Sequence, residues 1–168
     1  ERATAGQIVG HPAAQDAFAV AAVGARGRAI PFVGTEKVEN FSSDGPRRVF
    51  YYANGTAITP GNFSASGGTV RYKPDIAAAD GVKTATPGFN PFYGTSAATP
   101  HAAAIGALML SGKPTLTIAE VRKVFQSTAL DIETPGNWDR DSGYGIIRAD
   151  LVLEEAGPFG ILNPGILD

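Results

Sequence analysis

One short stretch concentrates the chemistry this sequence could perform: Gly94-Thr95-Ser96-Ala97-Ala98-Thr99-Pro100-His101. Ser96 falls where a turn feeds an apolar helix. Its hydroxyl would sit among free backbone N–H groups at the positive end of the helix dipole, a setting that stabilises an oxyanion forming on a substrate carbonyl. The small residues Gly94, Ala97 and Ala98 would let a substrate backbone come close. Pro100, lacking an N–H, releases the Ser96 carbonyl from the helical ladder. The fitting chemistry is acyl transfer onto serine, which needs a base to take the hydroxyl proton. There are only two histidines, His11 and His101, and no cysteine, so thiol catalysis, disulfide scaffolds and most zinc sites are excluded. His101 lies five residues beyond Ser96, which on a helix is about 500° of rotation and about 7.5 Å of rise, so the two side chains diverge. It reads as a packing or hydrogen-bonding histidine. His11 precedes Pro12 in a loop and reads as structural, with the lining of a substrate pocket as its other role.

The acidic residues offer less. Asp131, Asp139 and Asp141 with Asn137 could gather oxygens around a structural calcium ion, but their spacing lacks the regular alternation of a calcium loop. An ordinary polar turn is expected there, with no metal ligand assigned and no cofactor required. Asp141-Ser142-Gly143 also reads as a turn, and Asp75 as a turn or cap residue.

These residues must be positioned by a folded frame. The 168 residues make one domain's worth of chain, with 21 glycines, 12 prolines and only 18% charged residues, so turns and buried surface are abundant. Ala17–Val23 is a small apolar run suited to a strand buried on both faces, and a looser polar segment follows through Arg26–Glu39. The runs Val49–Ala53 and Thr56–Thr59 flank Asn54-Gly55, which predicts a hairpin with a type I′ turn. A Gly/Ser-rich loop, Gly61–Gly68, leads to the apolar Ile76–Ala79. The stretch from about Ser96 to Leu110 is apolar around its circumference, which predicts a centrally buried helix. Thr117–Ala129 opens with a capping box, Thr117 with Glu120, and Leu116 can staple onto Val121. Its apolar stripe is Ile118, Val121, Val124 and Phe125. Tyr144–Ile147 reads as a strand and Ala149–Ala156 as a last helix. Trp138 and Phe50-Tyr51-Tyr52 read as core residues, with an interaction surface as their other reading. Strands alternating with helices predict an α/β fold with a largely parallel sheet. A formal charge of −2 gives no field to draw polyanions, so nucleic acid is not an expected partner, and no apolar run reaches the length of a membrane span.

Gly94–His101 followed by Ala102-Ala103-Ala104 resembles the nucleophile signature of the subtilases, the subtilisin-like serine peptidases. Phe41-Ser42-Ser43-Asp44-Gly45-Pro46 resembles the family's F-S-S-x-G-P turn, and Lys73-Pro74-Asp75-Ile76-Ala77-Ala78 its K-P-D-I-x-A strand. Pro135-Gly136 and Asp141–Ile146 resemble its closing G-Y-G segment, while Gly10-His11-Pro12 and Ala19–Val23 resemble the stretch after its oxyanion asparagine. The resemblance runs from Gly10 to about Ala156.

It implies a doubly wound, mainly parallel sheet and peptide-bond hydrolysis through an acyl-enzyme on Ser96. The Ser96 backbone N–H would be an oxyanion donor, with Gly94 and Thr95 beside the substrate and Gly10 at the floor of the pocket for the side chain preceding the cut bond. A cis peptide is expected at His11-Pro12. The family's D-[ST]-G and H-G-T motifs do not precede Ser96, and the oxyanion asparagine would fall just before Glu1. The expectation is therefore that residues 1–168 are the C-terminal portion of a catalytic domain, a piece or processed product, inactive alone and completed by an N-terminal part. Asp80 stands where the family usually has the proline of A-P-G, and the stretch from Arg47 to Arg71 is an insertion carrying the hairpin. Two alternatives stay open: a non-catalytic pseudoprotease or interaction module of the same fold, and a serine-carboxyl (sedolisin-like) peptidase with a glutamate in place of histidine. The resemblance also implies a peptide or protein substrate and a secreted or extracytoplasmic location. A sheet cut through its middle would expose edge strands and one face of the Ser96 helix, inviting a companion chain or self-association.

Overall fold

A computed structural model of the chain describes residues 6–25 and 31–157; part of the polar segment after Arg26 lies outside them. In chain order the elements are β1 (Val20–Gly24), β2 (Arg47–Val49), β3 (Thr69–Arg71), β4 (Ile76–Asp80), α1 (Thr95–Gly112), α2 (Ile118–Thr128) and α3 (Ala149–Glu155). β1 and β4 pair in parallel, Val20 opposite Ile76 through to Gly24 opposite Asp80. Ile146 extends this sheet through a parallel bridge to Ala77 and an antiparallel one to Leu130. The stretch expected as a strand at Tyr144–Ile147 thus contributes single bridges rather than a ladder.

Why the two strands are apolar throughout follows from their packing. Ala22, Ile76 and Ala78 point into a core formed with Ala98, Ala102 and Met109 of α1, Val121 and Phe125 of α2 and Val152 of α3. Ala21, Val23 and Ala77 point the other way, against Ile132 and Ile146. Both faces are covered, as in a parallel sheet. The landmark turns dock onto this frame at close quarters. A Cβ on Gly45 would lie 1.5 Å from the Lys73 carbonyl oxygen, and one on Gly143 would lie 2.5 Å from the Asp75 carbonyl carbon, so only glycine fits at either place. The free side of β1 is partly closed by residues 38–42: Val23 bridges Val38, Glu39 N–H donates to Ala22 O, and Ala22 N–H donates to Ser42 Oγ.

Five expectations need correction. The helix α1 is buried only through Ala97, Ala98, Ala102 and Met109, while Leu108 and Leu110 are 52% and 39% exposed. It rests on the sheet by one face, and among the described residues nothing covers Ala103, Ala104 or Ala107. The capping box of α2 forms as expected, Glu120 N–H donating to Thr117 Oγ1 and Thr117 N–H to Glu120 Oε2, but Ile118 sits at the rim of its stripe and is exposed. Tyr51 and Tyr52 are exposed rather than core residues, because their segment stands off the sheet. Around Asn54-Gly55 the segments do pair antiparallel, Tyr51 bridging Ala57 with Tyr52 N–H donating to Thr56 O and Ile58 N–H to Phe50 O, but the turn has positive φ only at Gly55 (83°) and so is not type I′. Asn54 instead caps the turn with its side chain, Oδ1 accepting from Thr56 N–H. Finally, His11–Pro12 is not among the cis bonds, which are Gly45–Pro46, Lys73–Pro74 and Asn90–Pro91. The reversal at Gly10 is made by its own positive φ of 67°, and Pro12 fits the 3₁₀ turn His11–Ala13 with its fixed φ.

Candidate active site

The helix α1 begins on Gly94, whose φ of 119° favours glycine. Ala97 and Ala98 N–H groups donate to Gly94 O at 2.9 and 3.2 Å, so the Thr95 and Ser96 amides precede the first helical bond and belong to the orphan donors of the terminus. Ser96 is the second helical residue and is exposed. The turn is anchored from below: Gly94 N–H donates to Oδ2 of the fully buried Asp80 at 2.8 Å. The residue that departs from the family's proline therefore ties the last residue of β4 to the start of α1. A carboxylate buried at the end of an apolar strand needs such a donor.

Beside the turn opens a cavity of about 250 Å³ lined by Thr95 and Thr99 together with Ile8, Val9, Pro12 and Phe18. Of Gly94, Thr95 and Ser96, only Thr95 lines this cavity. Gly10 is exposed and lines a different cavity of about 670 Å³, with Arg47, Phe50, Phe63 and Arg71. The 3₁₀ turn His11–Ala13 stands between the two, contributing Pro12 to the first and Ala13 to the second. Neither histidine reaches Ser96. His101 Nδ1 lies 2.8 Å from Ala97 O one turn back, and His11 starts the 3₁₀ turn with an exposed side chain.

Asp75 is held in a buried structural cluster. Asp75 accepts at Oδ2 from Lys73 Nζ and from Ala19 N–H, both at 2.7 Å, and at Oδ1 from Arg122. Arg122 also lies over the Phe18 ring, 4.2 Å from its centroid. Burial, reinforced by Arg122 and Arg71, lowers the Lys73 ammonium to about 8, and burial lowers Arg122 as well. This hub was invisible in the sequence because Arg122 is 47 residues from Asp75. In the candidate calcium loop, Asp131 Oδ2 accepts from Gly136 N–H, and Asp139 Oδ1 accepts from the N–H groups of Asp141 and Ser142. Among the described residues no group of three or more His, Asp or Glu gathers as a metal site. Asp141 is raised, mainly by burial. Trp138 is half-buried, its Nε1–H donating to Pro74 O at 2.9 Å.

An exposed serine at a helix N-terminus lies beside backbone N–H groups that can hold an anion. The profile of the subtilase family matches residues 2–145. This chain belongs to the subtilase family. Fervidolysin of Fervidobacterium pennivorans is 36% identical over 63 residues, 38% of this chain and 9% of that protein. The minor extracellular protease Epr of Bacillus subtilis is 34% identical over 91 residues, 52% of this chain and 13% of Epr. Among solved structures, the crystal structure of fervidolysin, described as a keratinolytic enzyme related to subtilisin, superposes with a TM-score of 0.50 at 25% identity, over 90% of this chain and 21% of that one. The chain spans about a fifth or less of the length of these relatives. Among the described residues no helix is long and apolar enough to cross a membrane.

Proposed function

We propose that this chain is the nucleophile-bearing portion of a serine endopeptidase acting outside the cell. Ser96 Oγ, its proton taken by a base, attacks the scissile carbonyl, the Ser96 backbone N–H donates to the resulting oxyanion, and the tetrahedral intermediate collapses by expelling the amine, which receives that proton, to leave an acyl-enzyme that water then hydrolyses. The observation that carries this reading is the exposed Ser96 on the Asp80-anchored Gly94 turn, inside the family's nucleophile signature. The base, its orienting aspartate and the side-chain oxyanion donor come from sequence upstream of Glu1. That same part, with the sheet completed to a doubly wound one, packs over the exposed Ala103, Ala107 and Leu110 face of α1. Within the 168 residues His101 is spent on Ala97 O, so the isolated chain is inactive. In the full-length protein, Ser96→Ala should lower hydrolysis of an unfolded protein substrate by about 10⁶-fold, the loss measured for the nucleophile of subtilisin, a member of the same family. Unchanged hydrolysis would favour a non-catalytic module.

A further inference from the structure

The segment between Gly45 and Lys73 builds a cleft whose charge the serine chemistry does not use. β2 and β3 are antiparallel, and their register sets Arg47 directly opposite Arg71. Side chains of directly opposed residues share one face of the ribbon with Cβ atoms about 5 Å apart, and like charges so placed repel. Both arginines are half-buried and both line the cavity of about 670 Å³ that Gly10 also lines. Among the described residues that line it there is no carboxylate. The partner seen for Arg71 in this cleft is a neutral carbonyl, Ala13 O at 2.7 Å, which fixes the guanidinium without cancelling its charge. Opposite them the wall is aromatic and preformed: Phe63 packs edge-on to Phe50 at 5.9 Å and stacks on Tyr51 at 5.4 Å. A cationic pair beside an apolar wall suits a planar carboxylate on a short aliphatic stem, since guanidinium groups bind carboxylates in a bidentate fashion.

We infer that Arg47 and Arg71 form a subsite for an acidic side chain, glutamate or aspartate, of a peptide whose backbone passes the Ser96 turn. The turn His11–Ala13 contributes Pro12 to the cavity beside Thr95 and Ala13 to the cavity of the arginines, so the subsite is placed on the far side of that turn from the Ser96 helix start. The subsite gives the endopeptidase a preference for acidic residues near the cut, and so rests on the reading of Ser96 given above.

Binding and cleavage separate the two. Fluorescent peptides that differ only by Glu, Gln or Lys at one position are titrated by anisotropy against the full-length protein carrying Ser96→Ala, and the unmutated protein is assayed for cleavage of the same peptides. The Glu peptide should bind at least 10-fold tighter than the Gln peptide at low salt, the Lys peptide weakest. The gap should close in Arg47→Gln/Arg71→Gln and persist in part in Arg47→Lys/Arg71→Lys, which keeps the charge and controls for loss of the Ala13 contact. Equal binding of Glu and Gln peptides overturns the subsite whether or not cleavage occurs. A retained Glu preference without cleavage of any peptide overturns the endopeptidase reading and leaves the carboxylate subsite standing.

Discussion

Asp75, immediately before β4, and Asp80, its last residue, are both buried at opposite ends of one short strand, yet they are employed differently. Asp75 is enclosed by two cations and a backbone amide, joining β1, β4 and α2 at the amino end of the strand. Asp80 holds a single turn at the carboxyl end, and that turn presents Ser96 to solvent. In open α/β sheets, ligands bind at the carboxyl ends of the strands. The comparison shows that division within five residues: one end spends its carboxylate on cohesion, the other on orienting a helix terminus.

The difference can be broken from either end. Asp75→Ala leaves Lys73 and Arg122 buried without their counter-ion and should cost about 3–5 kcal/mol in chemical denaturation, with Ser96 reactivity intact in the surviving folded fraction. Asp80→Ala should do the reverse. Its stability loss is about 1–3 kcal/mol, but release of the Gly94 amide should slow reaction at Ser96 by about 10²-fold in the full-length protein. Equal effects of the two variants on Ser96 would remove the distinction. A smaller signature lies in pH. Because Lys73 is lowered to about 8 in the folded state, the unfolded chain binds more protons between pH 8 and 10.5, so stability rises through that window. The rise should vanish in Lys73→Met, measured by urea midpoints at fixed ionic strength. The smallest effect belongs to neither end: Thr117→Ala removes the α2 cap and should cost about 1 kcal/mol without touching Ser96.

What the sequence revealed and what it hid follow from the range of the interactions. The Thr117–Glu120 box and the two-sided burial of β1 were readable because each is decided by neighbours along the chain. The Ser96 turn was readable as a motif, but its anchor was not: Asp80 and Gly94 meet only after β4 and α1 are placed. The Asp75 hub was missed for the same reason, its arginine arriving from α2. The burial of α1 was overestimated because an apolar circumference states what a helix needs covered, not which neighbour covers it. His11–Pro12 departs from its local resemblance because Gly10 already supplies the reversal through its positive φ.

The central claim is that the Asp80-anchored turn presents a nucleophile. Its most direct test is labelling of the full-length protein with a fluorophosphonate, followed by peptide mass mapping. The account predicts rapid stoichiometric modification at Ser96, about 10²-fold slower in Asp80→Ala and absent from the isolated 168-residue chain. Modification at another serine, or no modification of the full-length protein, would contradict it.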